Sequence, residues 1–544
     1  MMTTDSFPRT DDVPNPRRAS TAPTALVALA VAAAAALVSG APADGQLVAT
    51  DRIFFPGDEP GDRSGGAVAV GDFNGDGYDD LAVGVPDEDF GSSVARAGQV
   101  RTYLGGPGGI SGDSSLSAVL FEVELNGGVT GAGHRFGAAL AAADFDLDGF
   151  DDLAIGIPGR TVAGQVNAGG VAVVWGGLPT GIDRSRSLLF DQSFLTGTAE
   201  AGDQFGASLA AGRLGNEEHP DLAIGVPGED IDGFADAGAV NLLFSQSELG
   251  LSPINNAFIH QNTTGVFGIV SPNDRFATAL AIGDVTGDGI NDLVVGTPGD
   301  LVDTEPGSGA VQIFPGEGSG VAINSDQELW NQDDDGVPGQ AQTGDGFGSS
   351  LALGHFNGDL RLDLAIGVPG ESEFGPTDSG VVQVLIGTVG GLSPNQGQLF
   401  FEGLVSPEVS IFDRFGETLA AGDFNADGQD DLAIGYHLDD VFGQSNSGNV
   451  AVLYAGPPGL QVAGAQLWNG FFLLSVEPGD ELGFALAAGR FAGTGGMDLV
   501  IGVPGRENDG GDAEAGGVLI VRSQNIFSDG FETGTTDQWS AVVD

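Results

Sequence analysis

A short apolar string, Asp-Leu-Ala-Ile-Gly-Val-Pro in its most frequent form, recurs seven times along this chain. Its leucine stands at Leu81, Leu153, Leu222, Leu293, Leu364, Leu432 and Leu499. Successive copies are separated by about 70 residues. An interval this regular leaves no room for an inserted domain, so the body of the chain is one array of repeated units.

Each unit contains four short apolar segments bounded by Gly- and Asp-rich turns. In the second unit these segments are residues 138–143, 153–157, 170–175 and 187–190. Short length and turn residues on both sides are typical of strands, and 93 glycines among 544 residues suit a turn-rich chain. We therefore predict an all-β fold, a seven-bladed β-propeller of four-stranded antiparallel blades. A stacked solenoid is the alternative, but solenoid repeats usually run about 20–50 residues.

The two ends of the array complement each other. Residues 52–57 resemble the fourth segment of a later unit, residues 399–403, whereas the seventh unit stops after its third segment at residues 518–521. We expect the N-terminal strand to complete the last blade, because this closes the ring and removes exposed sheet edges.

The N-terminal residues have the order of a secretory signal. Arg9, Arg17 and Arg18 precede an apolar run at 25–38, and Ala41-Pro42-Ala43 fits a cleavage site. The run is short for a membrane span, although a signal anchor remains the alternative. We predict a signal peptide at 1–43, the propeller at 44–525, a C-terminal tail at 526–544, and a secreted or cell-surface protein without an integral span in its mature chain.

Charge and cysteine content exclude several functions. The chain has 18 basic residues, all Arg, against 76 acidic residues, for a net charge of −58. Such a surface repels phosphate backbones and anionic lipids, which excludes nucleic acid as a partner. The absence of Cys excludes disulfides and thiolate metal sites.

The turn between the first and second strand of a unit carries the candidate chemistry. Residues 72–80 place side-chain oxygens at positions 1, 3, 5 and 9 and a glycine at position 6, and the backbone carbonyl of position 7 is a further ligand. Hard cations take six to eight oxygen ligands, and glycine permits the sharp turn that brings these oxygens together. The pattern predicts Ca²⁺ with a structural role.

Four turns match this pattern. The predicted ligands are Asp72, Asn74, Asp76, Tyr78 and Asp80; Asp144, Asp146, Asp148, Phe150 and Asp152; Asp284, Thr286, Asp288, Ile290 and Asp292; and Asp423, Asn425, Asp427, Gln429 and Asp431. The fifth turn, with Asn357, Asp359 and Asp363, is an incomplete match because His355 takes position 1 and Leu360 replaces the glycine. The third and seventh turns begin with Arg213 and Arg490 and are predicted to hold no metal. The alternative is that the aspartates are ordinary turn residues or part of an acidic surface.

Two further motifs flank the strands of the repeat. Phe136-Gly137, Phe205-Gly206, Phe347-Gly348 and Phe415-Gly416 precede first strands, and Gly84-Val85-Pro86 and its equivalents end second strands. With the turns, these motifs resemble the FG-GAP repeat family, which forms the propeller of integrin α subunits and of many secreted bacterial proteins. The resemblance implies calcium in the matching turns and, often, adhesion or ligand recognition. The chain departs from the pattern at Ser64-Gly65, Phe276-Ala277, Leu482-Gly483 and Tyr436-His437.

The alternation of strand direction separates the loops onto two faces. The connections between strands two and three, and between one blade and the next, are expected opposite the calcium turns. Loops on a rigid scaffold commonly carry recognition, so we expect an extracellular protein or glycan ligand on that face. A scaffold without a specific ligand is the alternative. A polysaccharide-active enzyme has less support, because His134, His219, His260, His355 and His437 share neither spacing nor a partner motif, and we predict no catalytic residues.

Overall fold

The structure is a computed structural model that describes residues 47–523, except 58, 111–114, 216–217, 247–249, 319, 324–326, 407–408, 471–475, 494 and 508–513. The predicted signal peptide at 1–43 and the tail at 526–544 lie outside the described residues. Within the described part of the chain, no helix is long and apolar enough to cross a bilayer.

Seven four-stranded antiparallel sheets confirm the predicted propeller. Blades one to three consist of β2 (Ala67–Gly71), β3 (Asp80–Val85), β4 (Gln99–Tyr103) and β5 (Leu116–Leu120); β6 (Leu140–Ala143), β7 (Asp152–Gly156), β8 (Val171–Gly177) and β9 (Gly181–Phe190); and β10 (Ser208–Gly212), β11 (Asp221–Val226), β12 (Ala239–Ser245) and β13 (Leu251–Ile259). Blade four consists of β14 (Ala279–Gly283), β15 (Asp292–Thr297), β16 (Ala310–Phe314) and β19 (Glu328–Trp330), with a small hairpin of β17 (Gly316–Glu317) and β18 (Gly320–Val321).

Blades five and six repeat the same order. Their strands are β20 (Ser350–Gly354), β21 (Asp363–Val368), β22 (Val381–Thr388) and β23 (Gly391–Phe401), then β24 (Thr418–Gly422), β25 (Asp431–Tyr436), β26 (Asn449–Tyr454) and β27 (Gln461–Asn469). Among the described residues, the helical elements are a 3₁₀ turn at Glu122–Glu124 and one α-helical turn, α1 (Glu402–Val405).

Blade seven closes the ring with both ends of the array. It contains β28 (Leu486–Gly489), β29 (Asp498–Gly502) and β30 (Gly517–Ser523), and its outer strand is β1 (Leu47–Pro56). Strand β1 pairs antiparallel with β30, with Phe54 opposite Leu519. The first strands of the seven blades contact one another in cyclic order, including β28 with β2. The predicted closure by the N-terminal strand is confirmed.

Burial explains why the second strands are continuously apolar. All six residues of β3 and of β21 are buried, whereas β2, nearest the axis, alternates between buried and half-buried residues. Each blade packs both faces against its neighbours, and one apolar cluster joins Phe73 and Leu120 of blade one to Ile155 and Val174 of blade two. The strand pattern therefore reflects packing between blades.

The Phe-Gly and Gly-Val-Pro motifs meet where two blades touch. A Cβ atom on Gly156, in the second strand of blade two, would lie 2.2 Å from the carbonyl oxygen of Gly206 in blade three. Gly206 itself has a φ of +86°, and the preceding Phe205 is fully buried and bridges to Gly169 of blade two. The motif that marks the repeat is thus the contact that joins neighbouring blades.

The two ends of the propeller differ in their connections. We call the end with the loops between first and second strands the hairpin face, and the end with the second-to-third loops and the blade-to-blade connections the loop face. On the loop face these two kinds of connection pair with each other: Gly133 N–H donates to Ala95 O (2.9 Å) and Phe136 N–H to Ala97 O (3.0 Å).

Candidate metal sites in the blade hairpins

The aspartate at position 9 has the same structural role in all seven hairpins. One of its carboxylate oxygens accepts a hydrogen bond from the backbone N–H at the end of the third strand of its blade. The pairs are Asp80 with Gly105, Asp152 with Gly176, Asp221 with Ser245, Asp292 with Gly316, Asp363 with Gly387, Asp431 with Ala455 and Asp498 with Ser523. The third and seventh hairpins, which are predicted to hold no metal, share this role.

The second oxygen of this aspartate distinguishes the first hairpin. In blades two to six it accepts the N–H of position 2, as in Asp152 with Phe145 (2.9 Å). In the first hairpin Asp80 Oδ2 is buried without a full hydrogen bond, although the N–H of Phe73 lies near enough to lower the pKa of Asp80 slightly. Burial, and then repulsion from Asp72 and Asp76, raise the pKa of Asp80 to about 7. A cation beside this oxygen would relieve both effects.

Position 1 organises the turn in the four matching hairpins. Asp72 accepts hydrogen bonds from the N–H groups of Asp76 (3.1 Å) and Gly77 (2.8 Å), and Asp76 in turn accepts one from Tyr78 N–H (3.0 Å). Asp144, Asp284 and Asp423 bind the N–H groups of positions 5 and 6 in the same way. The carboxylates of positions 1 and 5 are therefore held on one tight turn.

The second hairpin brings three acidic side chains together. Asp144, Asp146 and Asp152 each offer an oxygen, and these oxygens lie within 4.8 Å of one another. Asp146 Oδ1 is buried without a partner, whereas its Oδ2 accepts a hydrogen bond from Arg186 (3.0 Å) on β9. Burial, followed by the charges of Asp146 and Asp144, raises the pKa of Asp152 to about 8. The hairpin therefore holds a set of hard oxygen donors next to the guanidinium group of Arg186.

The fifth hairpin is filled by its own hydrogen-bond donors. His355 Nδ1 lies 2.9 Å from the carbonyl oxygen of Arg361, the position-7 oxygen that a metal would use. The Asn357 amide donates to Asp359 (3.3 Å) and Asp363 (3.4 Å). These internal hydrogen bonds occupy oxygens that a cation would need, so this hairpin fits a cation less well than the first and second.

An additional acidic position, not recognised from the sequence, links neighbouring hairpins. The position-8 aspartate of one blade accepts the position-1 N–H of the preceding blade: Asp151 from Asp72 (2.8 Å), Asp430 from His355 (2.9 Å) and Asp79 from Arg490 (2.6 Å). In the sequence this position is visible only as the first of two consecutive aspartates, as in Asp151-Asp152. The hydrogen bond that the position-8 aspartate makes depends on a residue of another blade, which the sequence does not show.

The donor chemistry as a whole suits calcium. The first and second hairpins have buried carboxylate oxygens without donors, and the fourth and sixth share the position-1 and position-9 frame. Burial raises the pKa of Asp292 to about 6, and burial with the charges of Asp427 and Asp423 raises that of Asp431 to about 8. Calcium prefers all-oxygen sites and would offset this repulsion.

The histidines do not form a common site. His134 Nδ1 lies 2.7 Å from Glu122, His355 bonds a backbone carbonyl, and His437 lies 3.5 Å from Glu417. These three positions belong to different blades and bond different groups, so these three histidines do not share one centre.

Comparison with known proteins connects this architecture to a repeat family. The FG-GAP repeat profile matches residues 64–103, 136–174, 276–314, 347–385 and 415–453, in blades one, two, four, five and six. The two other blades are those whose hairpins begin with Arg213 and Arg490.

Relatives of two kinds align with part of the chain. Integrin alpha-5 of Xenopus laevis is 32% identical over 181 residues, which is 32% of this chain and 16% of that protein. Integrin alpha-IIb of Homo sapiens is 33% identical over 177 residues, 32% of this chain and 15% of that protein. Phosphatidylinositol-glycan-specific phospholipase D of Bos taurus is 30% identical over 168 residues, 30% of this chain and 19% of that enzyme. The aligned region thus spans less than a fifth of each of these relatives.

Proposed function

Because this chain is a seven-bladed propeller with FG-GAP repeats in five of its blades, we propose that it is an exported, calcium-stabilised recognition module that binds an extracellular protein through its loop face. The observation that carries the proposal is the distribution of exposed aromatic side chains. Among the described residues, every exposed phenylalanine lies in a second-to-third loop or a blade-to-blade connection: Phe90, Phe194, Phe234, Phe267, Phe412 and Phe442. Large apolar side chains exposed on one face of a rigid scaffold mark interaction surfaces.

The charge around these residues indicates the chemistry of the ligand. Phe442 is 65% exposed and follows Asp440, and Phe234 stands between Asp232 and Asp236. Aromatic anchors within an acidic rim suit a protein whose apolar patch is surrounded by Lys and Arg. A protein partner is therefore favoured over a neutral glycan.

Binding to protein and glycan arrays tests the ligand class. We expect capture by basic extracellular proteins and at least a tenfold weaker affinity in the double variant Phe234→Ser/Phe442→Ser, since each buried aromatic anchor contributes on the order of 1–2 kcal/mol. The matched control is Leu360→Ser/Val389→Ser, which removes exposed apolar residues from the hairpin face. Glycan-only binding would contradict the protein ligand, and no binding on either array would favour the scaffold.

Calcium in hairpins one, two, four and six is the second part of the proposal. The ion would be held by the acidic and amide oxygens of positions 1, 3, 5 and 9 and the position-7 carbonyl, and its charge would stabilise turns that otherwise crowd several carboxylates. Orphaned buried oxygens at Asp80 and Asp146 support this. No step of a reaction is assigned to the ion.

Thermal unfolding with and without a chelator tests the calcium sites. We expect calcium to raise the melting temperature of the wild type and to raise it less in Asp144→Asn. Asp359→Asn in the fifth hairpin is the matched control and should respond to calcium like the wild type. A melting temperature that is the same in calcium and in chelator would count against these sites.

A further inference from the structure

Each junction between two blades contains a buried polar cluster on the loop face. At most junctions its members come from three places: the first or second residue after the fourth strand, the residue two positions before the Phe-Gly motif, and the residue after the second-strand turn. At the junction of blades one and two these are Glu122, His134 and Arg160, with Arg160 donating to Glu122 (3.0 Å) and Asp191 (2.7 Å).

At six of the seven junctions the carboxylates lie beside an arginine, or beside a glutamine at the first of these three positions. Arg160, Arg506 and Arg101 lie beside the acids at junctions one–two, six–seven and seven–one, with Arg506 2.9 Å from Asp480 and Arg101 3.7 Å from Glu88. At junctions two–three, three–four and four–five a glutamine occupies the first position: Gln192, Gln261 and Gln332. Gln332, for example, donates to Glu371 (2.6 Å).

The junction of blades five and six departs from this rule. All three positions are acidic there, Glu402, Asp413 and Asp439, and none is more than 6% exposed. Each offers an oxygen within 4.8 Å of the other two. The Asn449 amide donates to Asp439 Oδ2 (3.1 Å), but Asp413 Oδ1 is buried and has no donor.

A fully buried tyrosine lies beside this acidic cluster. Tyr436, where the repeat pattern has an aliphatic residue, is 0% exposed, and its hydroxyl has no hydrogen-bond partner. Its ring packs on Phe415 (centroids 5.2 Å apart). Burial, and then the charges of Glu402, Asp439 and Asp413, raise the pKa of Tyr436 well above its usual range.

We propose that Glu402, Asp413 and Asp439 form a buried site for one calcium ion between blades five and six, with the Tyr436 side chain beside it. Calcium ligands stand about 2.3–2.6 Å from the ion, so two oxygens of one shell are at most about 5 Å apart. The three carboxylate oxygens satisfy this limit without rearrangement. The ion takes the place of the arginine or glutamine found at the other junctions.

The substitution Glu402→Gln tests the site with little risk to the fold, because three other junctions carry glutamine at this position. Wild type and variants are equilibrated with calcium and the bound metal per chain is measured by mass spectrometry. We expect Glu402→Gln to bind one ion fewer. The matched control is Glu371→Gln, an equally buried acid-to-amide change at junction four–five, and it should bind as many ions as the wild type.

Terbium provides a second measurement that leaves every carboxylate in place. Terbium replaces calcium, and its emission is sensitised by a nearby tyrosine, so Tyr436→Phe should lower tyrosine-sensitised emission while the protein stays folded. If Glu402→Gln binds as many ions per chain as the wild type, and Tyr436→Phe leaves the terbium emission unchanged, the proposed calcium site is wrong. The three carboxyl groups would then be held together by shared protons. If Asp144→Asn still loses an ion in that case, the hairpin sites would stand without this one.

Discussion

Replacing Gly156 by alanine should destabilise the ring by forcing two blades apart. The added Cβ would lie 2.2 Å from the carbonyl oxygen of Gly206, whereas ordinary van der Waals contact begins at 3.4 Å. The obstacle is backbone in the next blade, and in a closed ring a displacement at one junction must be absorbed by the others. Overpacking of this kind costs about 1–3 kcal/mol, and we expect the upper part of that range.

Urea unfolding monitored by tryptophan fluorescence measures this cost. Gly156→Ala should lower the unfolding midpoint, and Gly225→Ala should do the same, because its Cβ would meet Ala277 O at 2.3 Å. Gly390→Ala is the matched control, since no atom lies within 4 Å of its added Cβ and its φ is not positive. Equal midpoints for Gly156→Ala and Gly390→Ala would refute the view that this glycine sets the spacing between blades.

Two further predictions concern the hairpin aspartates. In chelator, the melting temperature should fall as the pH rises from about 4 to about 8. Asp152 and Asp431 have a pKa of about 8 in the folded state, above their unfolded value, so the folded state binds more protons in that window. A melting temperature that rises across this window would contradict the raised pKa of these two aspartates. Asp221→Ala should lower the free energy of unfolding in urea by about 2–4 kcal/mol, equally in calcium and in chelator, because it leaves the N–H groups of Leu214 and Ser245 buried without their acceptor. A loss of stability that depends on calcium would show that this hairpin binds metal.

Strand boundaries illustrate where sequence patterns stop being informative. The fourth strand of the second unit was predicted at 187–190, but it runs from Gly181 to Phe190. Its residues 184–186, which include Arg184 and Arg186, are exposed, so this part lacks the apolar pattern that marks the other strands. Pairing with β8 through a tight turn, rather than side-chain burial, makes this segment a strand.

The sequence alone determined the number of blades, the closure of the ring and the positions of the oxygen side chains in the hairpins. These properties depend on patterns that repeat within a few residues of one another and at a fixed interval along the chain. They could be predicted because strand periodicity, turn residues and repeat length each point to the same architecture.

Only the tertiary structure decided how the acidic groups are used. Asp152 bonds a backbone group 24 residues away, Asp151 one that is 79 residues away, and Arg186 reaches Asp146 from another strand. The cluster of Glu402, Asp413 and Asp439 likewise assembles from the edges of two blades. Such contacts join segments that are far apart in the sequence and meet only in the folded ring. Local residue spacing therefore does not predict them.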